Sequence, residues 1–345
     1  MTRKTTIIIG LAVALLLVIG IGLFRVPAMQ DALMKRAATT MLNSSATSFE
    51  GLNVVVCGSA SPLGNSMKRA QACIAVVTPE HFFLIDVGAR SPVRMAQARL
   101  PLGRITGVLL THYHSDHIAS LPDVNLQSWV AGRKTSLPVY GPRGVDQVVA
   151  GFNQAYALDR GYRVAHHGTE LLPPAAGPMK PVTVEPGIVW QDDSLTITSF
   201  VVEHDPIDPA VGYRVDYQGR SVVVSGDSNA VPSLFTAAKG SDLLFHDALA
   251  KHSLDIMMDA ATAAGRNSLA KIIHDVIDYH ADTRTLEQAA EDAGIRQLVL
   301  YHLVPTPTNA LTESIFRRGL RDETLLADDL QTFELPIGST EILIN

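Results

Sequence analysis

At 345 residues, 47% of them hydrophobic, with a net charge of −6, the chain is long enough to bury a full core and has no overall basic surface for holding nucleic acid. Two cysteines are too few for a disulfide-built scaffold, and the spacing of Cys57 and Cys73 excludes a zinc ribbon. In an oxidising compartment the two could pair; as buried apolar thiols they would be equally at home.

The first element is TTIIIGLAVALLLVIGIGLF, residues 5–24, flanked by Arg3, Lys4 and Arg25. An uncharged run of about 20 residues spans a hydrocarbon layer of ~30 Å as a helix. It is longer than the apolar core of a cleaved signal, and VPAMQDA makes a poor cleavage site, so a retained anchor is favoured over a cleaved one. The short tail then places the rest of the chain outside the cytoplasm, as a single-pass inner-membrane protein facing the periplasm. Three segments are expected: an anchor over 1–25, a juxtamembrane helix and polar linker over 26–50 (Met29, Leu33, Met34, Met41), and one domain over 51–345.

From Leu52 onward short apolar runs alternate with glycine and proline. LNVVVCG, CIAVVTP, FFLIDVG, ITGVLLTH and LPVYGP read as strands, with helical patterns at SPVRMAQARL and RGVDQVVAGFNQAYAL. A second set follows in SLTITSFVVEH, VGYRVDYQ, RSVVVSGD and SDLLFHDA, then helices near 266–280 and 284–293 and the strand RQLVLYHL. Two stacked sheets with helices outside would satisfy both sets. Between them the proline-rich stretch 165–193 is too long for an ordinary connector and reads as a lid over a site, with an irregular sheet edge as the alternative.

Chemistry concentrates in VLLTHYHSDHIASLPD. Three histidines and an aspartate occupy six consecutive positions after an apolar strand. In extended chain His112 and His114 share a side, Asp116 continues that alternation, and His117 falls out of phase at a turn towards a helix. Two ligand sets close together suit a pair of ions, and imidazole with carboxylate suits Zn²⁺, with Mn²⁺ or Fe²⁺ as substitutes. Further ligands are expected from other strand ends: His204 in FVVEHDP, Asp227 in VVVSGDSN and His302 in LVLYHLVP, with His166 and His167 as competitors to His204.

In this order the residues resemble the metallo-β-lactamase superfamily over roughly 52–345. The resemblance implies an αββα sandwich of the α/β class, with His112, His114 and His204 on one metal, Asp116, His117 and His302 on the other, and Asp227 bridging. Asp86 in FFLIDVG would stand behind the ligands and orient them. Within the superfamily the chain looks like the ribonuclease Z and arylsulfatase-like branch, through GSASP at 58–62, GVLLTHYHSDHIASLPD, LLFHDALA and YHADTRTLEQAAEDAG. That comparison implies Asp116, His280 and Asp247 as catalytic groups, His280 protonating the leaving oxygen with Asp247 behind it. The sequence departs by placing aspartate at 247 where glutamate is usual and alanine after His280 where serine is usual. It also leaves no room between His204 and Asp227 for the arm that grips tRNA. The resemblance therefore implies a two-Zn²⁺ hydrolase of small phosphodiesters or aryl sulfates, with a small ester substrate, no tRNA partner and a homodimer. The alternatives are an armless ribonuclease Z-like endonuclease, a lactonase or β-lactamase, and a degenerate binding protein.

Overall fold

The computed structural model describes residues 25–43, 49–64 and 66–345. The apolar stretch 5–24 lies outside the described residues. Among the described residues no helix is long and apolar enough to cross a membrane. The helix Pro27–Asn43 has 17 residues, short of the ~20 a span requires, and carries Asp31, Lys35 and Arg36 mid-length. The transmembrane helix and the inner-membrane, periplasm-facing placement expected from the sequence are accordingly corrected: no described element supports them.

The compact unit Phe49–Asn345 is built on two sheets. The chain first lays down β1 (Leu52–Gly58), β2 (Cys73–Val77), β3 (Phe82–Ile85), β4 (Gly107–Leu109), β5 (Leu137–Gly141) and β6 (Met179–Thr183). It then builds the second sheet from β7 (Gly187–Gln191), β8 (Leu195–His204), β9 (Ile207–Tyr217), β10 (Arg220–Val224), β11 (Leu243–Leu249), β12 (Gln297–Val304) and β13 (Leu325–Leu326). Finally β14 (Thr332–Leu335) and β15 (Leu343–Ile344) return to the first sheet, where β14 pairs with β1.

Period-two alternation divides each strand between two cores. Leu52, Val54 and Val56 of β1, Ile74 and Val76 of β2, and Val299 and Tyr301 of β12 meet in the layer between the sheets. Val55 and Cys57, with Cys73, Ala75 and Val77, face outward, where the sequences around Met95, Leu121, Val124, Val145 and Val149 cover them. The second sheet's outer face carries Val223, Leu244 and Leu300 under Leu234, Leu286 and Phe316. Both sheet faces are thus buried, which explains why these strands read as continuous apolar runs. The result is the expected αββα layering. Cys57 and Cys73 form a disulfide between β1 and β2.

The proline-rich stretch is not a lid. It ends the helix Ala157–His167 and then supplies β6 and β7, the outermost strands of the two sheets. Pro181 lacks an N–H to donate, and an edge strand is where a sheet tolerates that.

Candidate metal centre and active site

β3, β4 and β5 run parallel, as do β10, β11 and β12, and β8 shares the latter direction through two antiparallel steps. Their C-terminal ends deliver the candidate residues to one edge of the sandwich. Asp86 follows β3, His112 follows β4, His204 ends β8, Asp227 follows β10, Asp247 lies in β11 and His302 in β12. The extended backbone after β4 lasts only to His114, because a helical turn begins at Ser115. Asp116 therefore does not continue the alternation expected for it; with His117 it sits on the turn Ser115–Ile118.

Two quartets result. His112, His114, His204 and Asp227 place ligand atoms within 4.8 Å of one another, and Asp116, His117, Asp227 and His302 do the same. His114 Nδ1 lies 3.0 Å from His112 Nε2 and 3.3 Å from His204 Nε2. Nitrogens bound at about 2.0–2.1 Å to one tetrahedral ion would stand roughly 3.4 Å apart, close to these separations. In the second quartet Asp227 Oδ2 is 3.3 Å from His117 Nε2, and Asp116 Oδ2 is 3.0 Å from His302 Nε2. His117 Nε2, His302 Nδ1 and Asp227 Oδ1 are buried with no hydrogen-bond partner. A buried polar atom without a partner is costly, and a cation is what this donor set would accept. The residues fit a divalent metal. His166 and His167 lie on the helix Ala157–His167 and join neither quartet.

The hydrogen-bond partners set which nitrogen of each ring is free. Asp86 accepts from Thr111 N–H at 2.9 Å, from Thr111 Oγ1 at 2.8 Å and from His117 Nδ1 at 2.8 Å. With its own proton given to Asp86, Thr111 Oγ1 accepts from His112 Nδ1 at 3.0 Å, leaving His112 Nε2 as a lone pair facing the site. His204 Nδ1 donates to the Tyr279 carbonyl at 3.0 Å, which frees its Nε2 in the same way. Asp86 thus orients two imidazoles at once, directly and through Thr111. Gly226 admits this packing: its φ is +66°, and a Cβ there would meet Thr111 Cβ at 2.8 Å.

His302 is aimed by a bulge. Asp247 pairs with Tyr301 and Ala248 with Leu303, so His302 is the extra residue, at φ +44°. Such a bulge turns a side chain out of the alternation of its strand. Asp86, at φ +56°, is a second non-glycine residue in left-handed backbone at this edge.

Electrostatics separate the quartets. Burial holds His112, His114 and His204 below the ordinary histidine value, with neighbouring histidines adding to the effect at all three against the opposing pull of Asp227. Burial acts the same way on His117 and His302, but Asp227 and Asp116 outweigh it and raise both. Burial would raise Asp116 and Asp227; His117 and His302 instead hold both well below the usual carboxylate range.

Beside the quartets His280 Nδ1 lies 2.7 Å from Asp247 Oδ2. The shorter aspartate reaches, because Asp247 sits fully buried where β11 meets the bulge. Its other oxygen accepts from Ser228 N–H at 3.2 Å and lies 3.0 Å from His246 Nδ1. Burial would raise the Asp247 carboxyl, but hydrogen bonds from His246 and His280 lower it. His280 shares a cavity of about 230 Å³ with His114, Asp116, Asp227, His302 and Tyr279.

A model of the beta-lactamase superfamily domain matches residues 81–303, a span that holds every quartet residue. The chain belongs to the beta-lactamase superfamily. It is a ribonuclease Z-like member: it is 32% identical to ribonuclease Z of Mycobacterium sp. (strain KMS) over 296 residues, 83% of this chain and 97% of that one. It is 34% identical to ribonuclease Z of Mycobacterium bovis (strain BCG / Pasteur 1173P2) over 257 residues, 74% and 86% of the two chains. Among solved structures, the metallo-beta-lactamase fold protein YhfI from Bacillus subtilis superposes with a TM-score of 0.59 at 19% identity, over 83% of this chain and 100% of its own. Human tRNase Z, short form, does so with 0.56 at 20%, over the same shares. These two likenesses concern the fold. This superfamily member is a metal-dependent hydrolase of ester bonds, and its His/Asp cluster has the donor set for divalent metal.

Sequence reasoning missed Thr111, Ser228, His246 and Tyr279. Thr111 could have been suspected as a hydroxyl beside the ligand run, and His246 as the neighbour of Asp247 in LLFHDALA; Ser228 and Tyr279 meet their partners through backbone groups and leave no local pattern.

Proposed function

We propose that this chain is a ribonuclease Z-like phosphodiesterase. The observation that carries the reading is that both quartets and His280, backed by Asp247, open onto one cavity. Two zinc ions bound there would supply a hydroxide nucleophile near neutral pH and positive charge for the nonbridging phosphate oxygens. Asp227 faces both quartets and keeps them in register. Asp116 and Asp227 hold anionic charge that histidines beside them stabilise. His280, its Nδ1–H given to Asp247, has Nε2 left to carry a proton to the leaving oxygen. Asp247 is fixed by Ser228 and His246, so the imidazole is held in one tautomer and orientation.

The relatives named ribonuclease Z favour a phosphodiester over the aryl sulfate also expected from the sequence. β8 and β9 are joined by a tight turn at Asp205–Pro206, and β9 runs into β10 through Gln218–Gly219. The hairpins leave no arm between His204 and Asp227, which supports substrates that need no grip on a tRNA elbow. The test is turnover by the metal-loaded protein of bis(p-nitrophenyl) phosphate and of a short single-stranded RNA, with p-nitrophenyl sulfate and nitrocefin alongside. Phosphodiester cleavage that disappears on metal removal is expected; preferential hydrolysis of the sulfate or of nitrocefin would overturn the reading.

A further inference from the structure

The cavity lining is of two chemical kinds. His114, Asp116, Asp227, His280 and His302 bring the quartets and the His280 pair to it, with Ser61 and Ser115 adding hydroxyls, and Pro62, Leu63, Val276, Val304 and Tyr279 supply its apolar surface. No lysine or arginine lines it among the described residues. The charge of a bound phosphate ester is therefore met at the metal side, and whatever hangs from the phosphate meets apolar surface. An apolar cavity of about 150 Å³ accommodates one benzene ring, so about 230 Å³ has room for a ring beside a phosphate.

Tyr279 has two separable parts. Its carbonyl accepts from His204, a role any residue could fill. Its ring stands 5.0 Å from the His204 ring at 83° and 4.9 Å from the His280 ring at 52°, in the lining of the cavity. An aliphatic residue would have completed an apolar wall; a tyrosine adds a flat π face that stacks planar groups in particular.

Resting on the phosphodiesterase reading, we infer that Tyr279 selects substrates that carry a planar aromatic group, a nucleobase or an aryl ring, next to the scissile phosphate. The group lies against the Tyr279 face, with Leu63, Val276 and Val304 excluding water around it. Tyr279 is thus a specificity residue for what the phosphate bears, separate from the groups that act on the phosphate itself.

The experiment measures competitive inhibition of bis(p-nitrophenyl) phosphate hydrolysis by uridine 5′-monophosphate, phenyl phosphate and methyl phosphate, using the metal-loaded full chain. Wild type and Tyr279→Phe are expected to bind the ring-bearing esters about tenfold more tightly than methyl phosphate, as one stacked ring implies. Tyr279→Leu, with metal content measured, is expected to reduce that preference to about twofold, since bulk remains and the flat face does not. Val276→Asn alters the same wall away from any ligand and should cut the preference by about threefold. A preference for the uridine ester over phenyl phosphate assigns the nucleobase; the reverse assigns the aryl ring. Equal inhibition by all three esters in wild type, or an unchanged preference in Tyr279→Leu, overturns the inference while leaving the phosphodiesterase reading intact. If the loaded protein neither hydrolyses the diester nor binds any of the three, both fall.

Discussion

The two quartets share Asp227 but differ in kind. The first gathers three imidazoles kept neutral by burial around one carboxylate; the second gathers two imidazoles and two carboxylates that charge one another. The first is ready for a cation without giving up protons. In the second, the carboxylates raise His117 and His302, so protons compete with a cation there more strongly than in the first. The His280–Asp247 pair beside them belongs to neither quartet and is joined by a hydrogen bond, with Ser228 N–H donating to the same aspartate. The lesson is that neighbouring histidines in one short sequence motif are shifted in opposite directions by burial and by which carboxylates the fold brings to them.

Removing the shared member should do the greatest damage. Asp227→Ala is expected to lower phosphodiester turnover by on the order of 10³-fold or more and to reduce bound metal at both quartets, checked by turnover together with elemental analysis. Retention of two metals per chain and of activity would show that the quartets are independent. His280→Ala should spare metal content and cut kcat by about 10²–10⁴-fold. The loss is expected to be larger for an alkoxide leaving group than for p-nitrophenolate, which departs without a proton; equal losses would remove His280 from the role of proton donor. Asp86→Asn weakens the acceptor behind His117 and Thr111, and metal affinity should fall by about 10–100-fold, measured by competition with a chelating dye.

The smallest effect is on pH, and it tests the charge difference directly. His117 and His302 have raised values, so protons compete with metal there at a higher pH than at His112, His114 and His204, whose values are lowered. As pH falls, the Asp116–His117–His302 side should release its metal first, taking the protein from two bound ions to one before the other side empties. Calorimetry of metal uptake near pH 7 in buffers of different ionisation enthalpy should accordingly show net proton release. Simultaneous loss of both ions, or uptake without proton release, would erase the distinction.

Much of the layering was legible because burial leaves a local imprint. Strands covered on both faces are apolar throughout, and the ligands sit where such runs stop. The membrane anchor was expected from the same kind of local hydropathy, at residues 5–24, and the helix Pro27–Asn43 that follows is charged and short. The proline-rich stretch was expected as a lid from its length; prolines are equally at home on edge strands, and composition does not distinguish the two.

By itself the sequence determined which residue types stand at which strand ends: the histidines at 112, 114, 117, 204 and 302 and the aspartates at 86, 116 and 227. Only the tertiary structure decided how they meet. It placed Asp116 on a turn rather than an extended run, aimed His302 through a bulge, brought Asp247 within reach of His280, and stood Tyr279 in the cavity wall. The physical reason is range. Period-two burial and turn chemistry act between near neighbours and are written along the chain, whereas bulges, register and cross-sheet hydrogen bonds depend on partners far away in sequence.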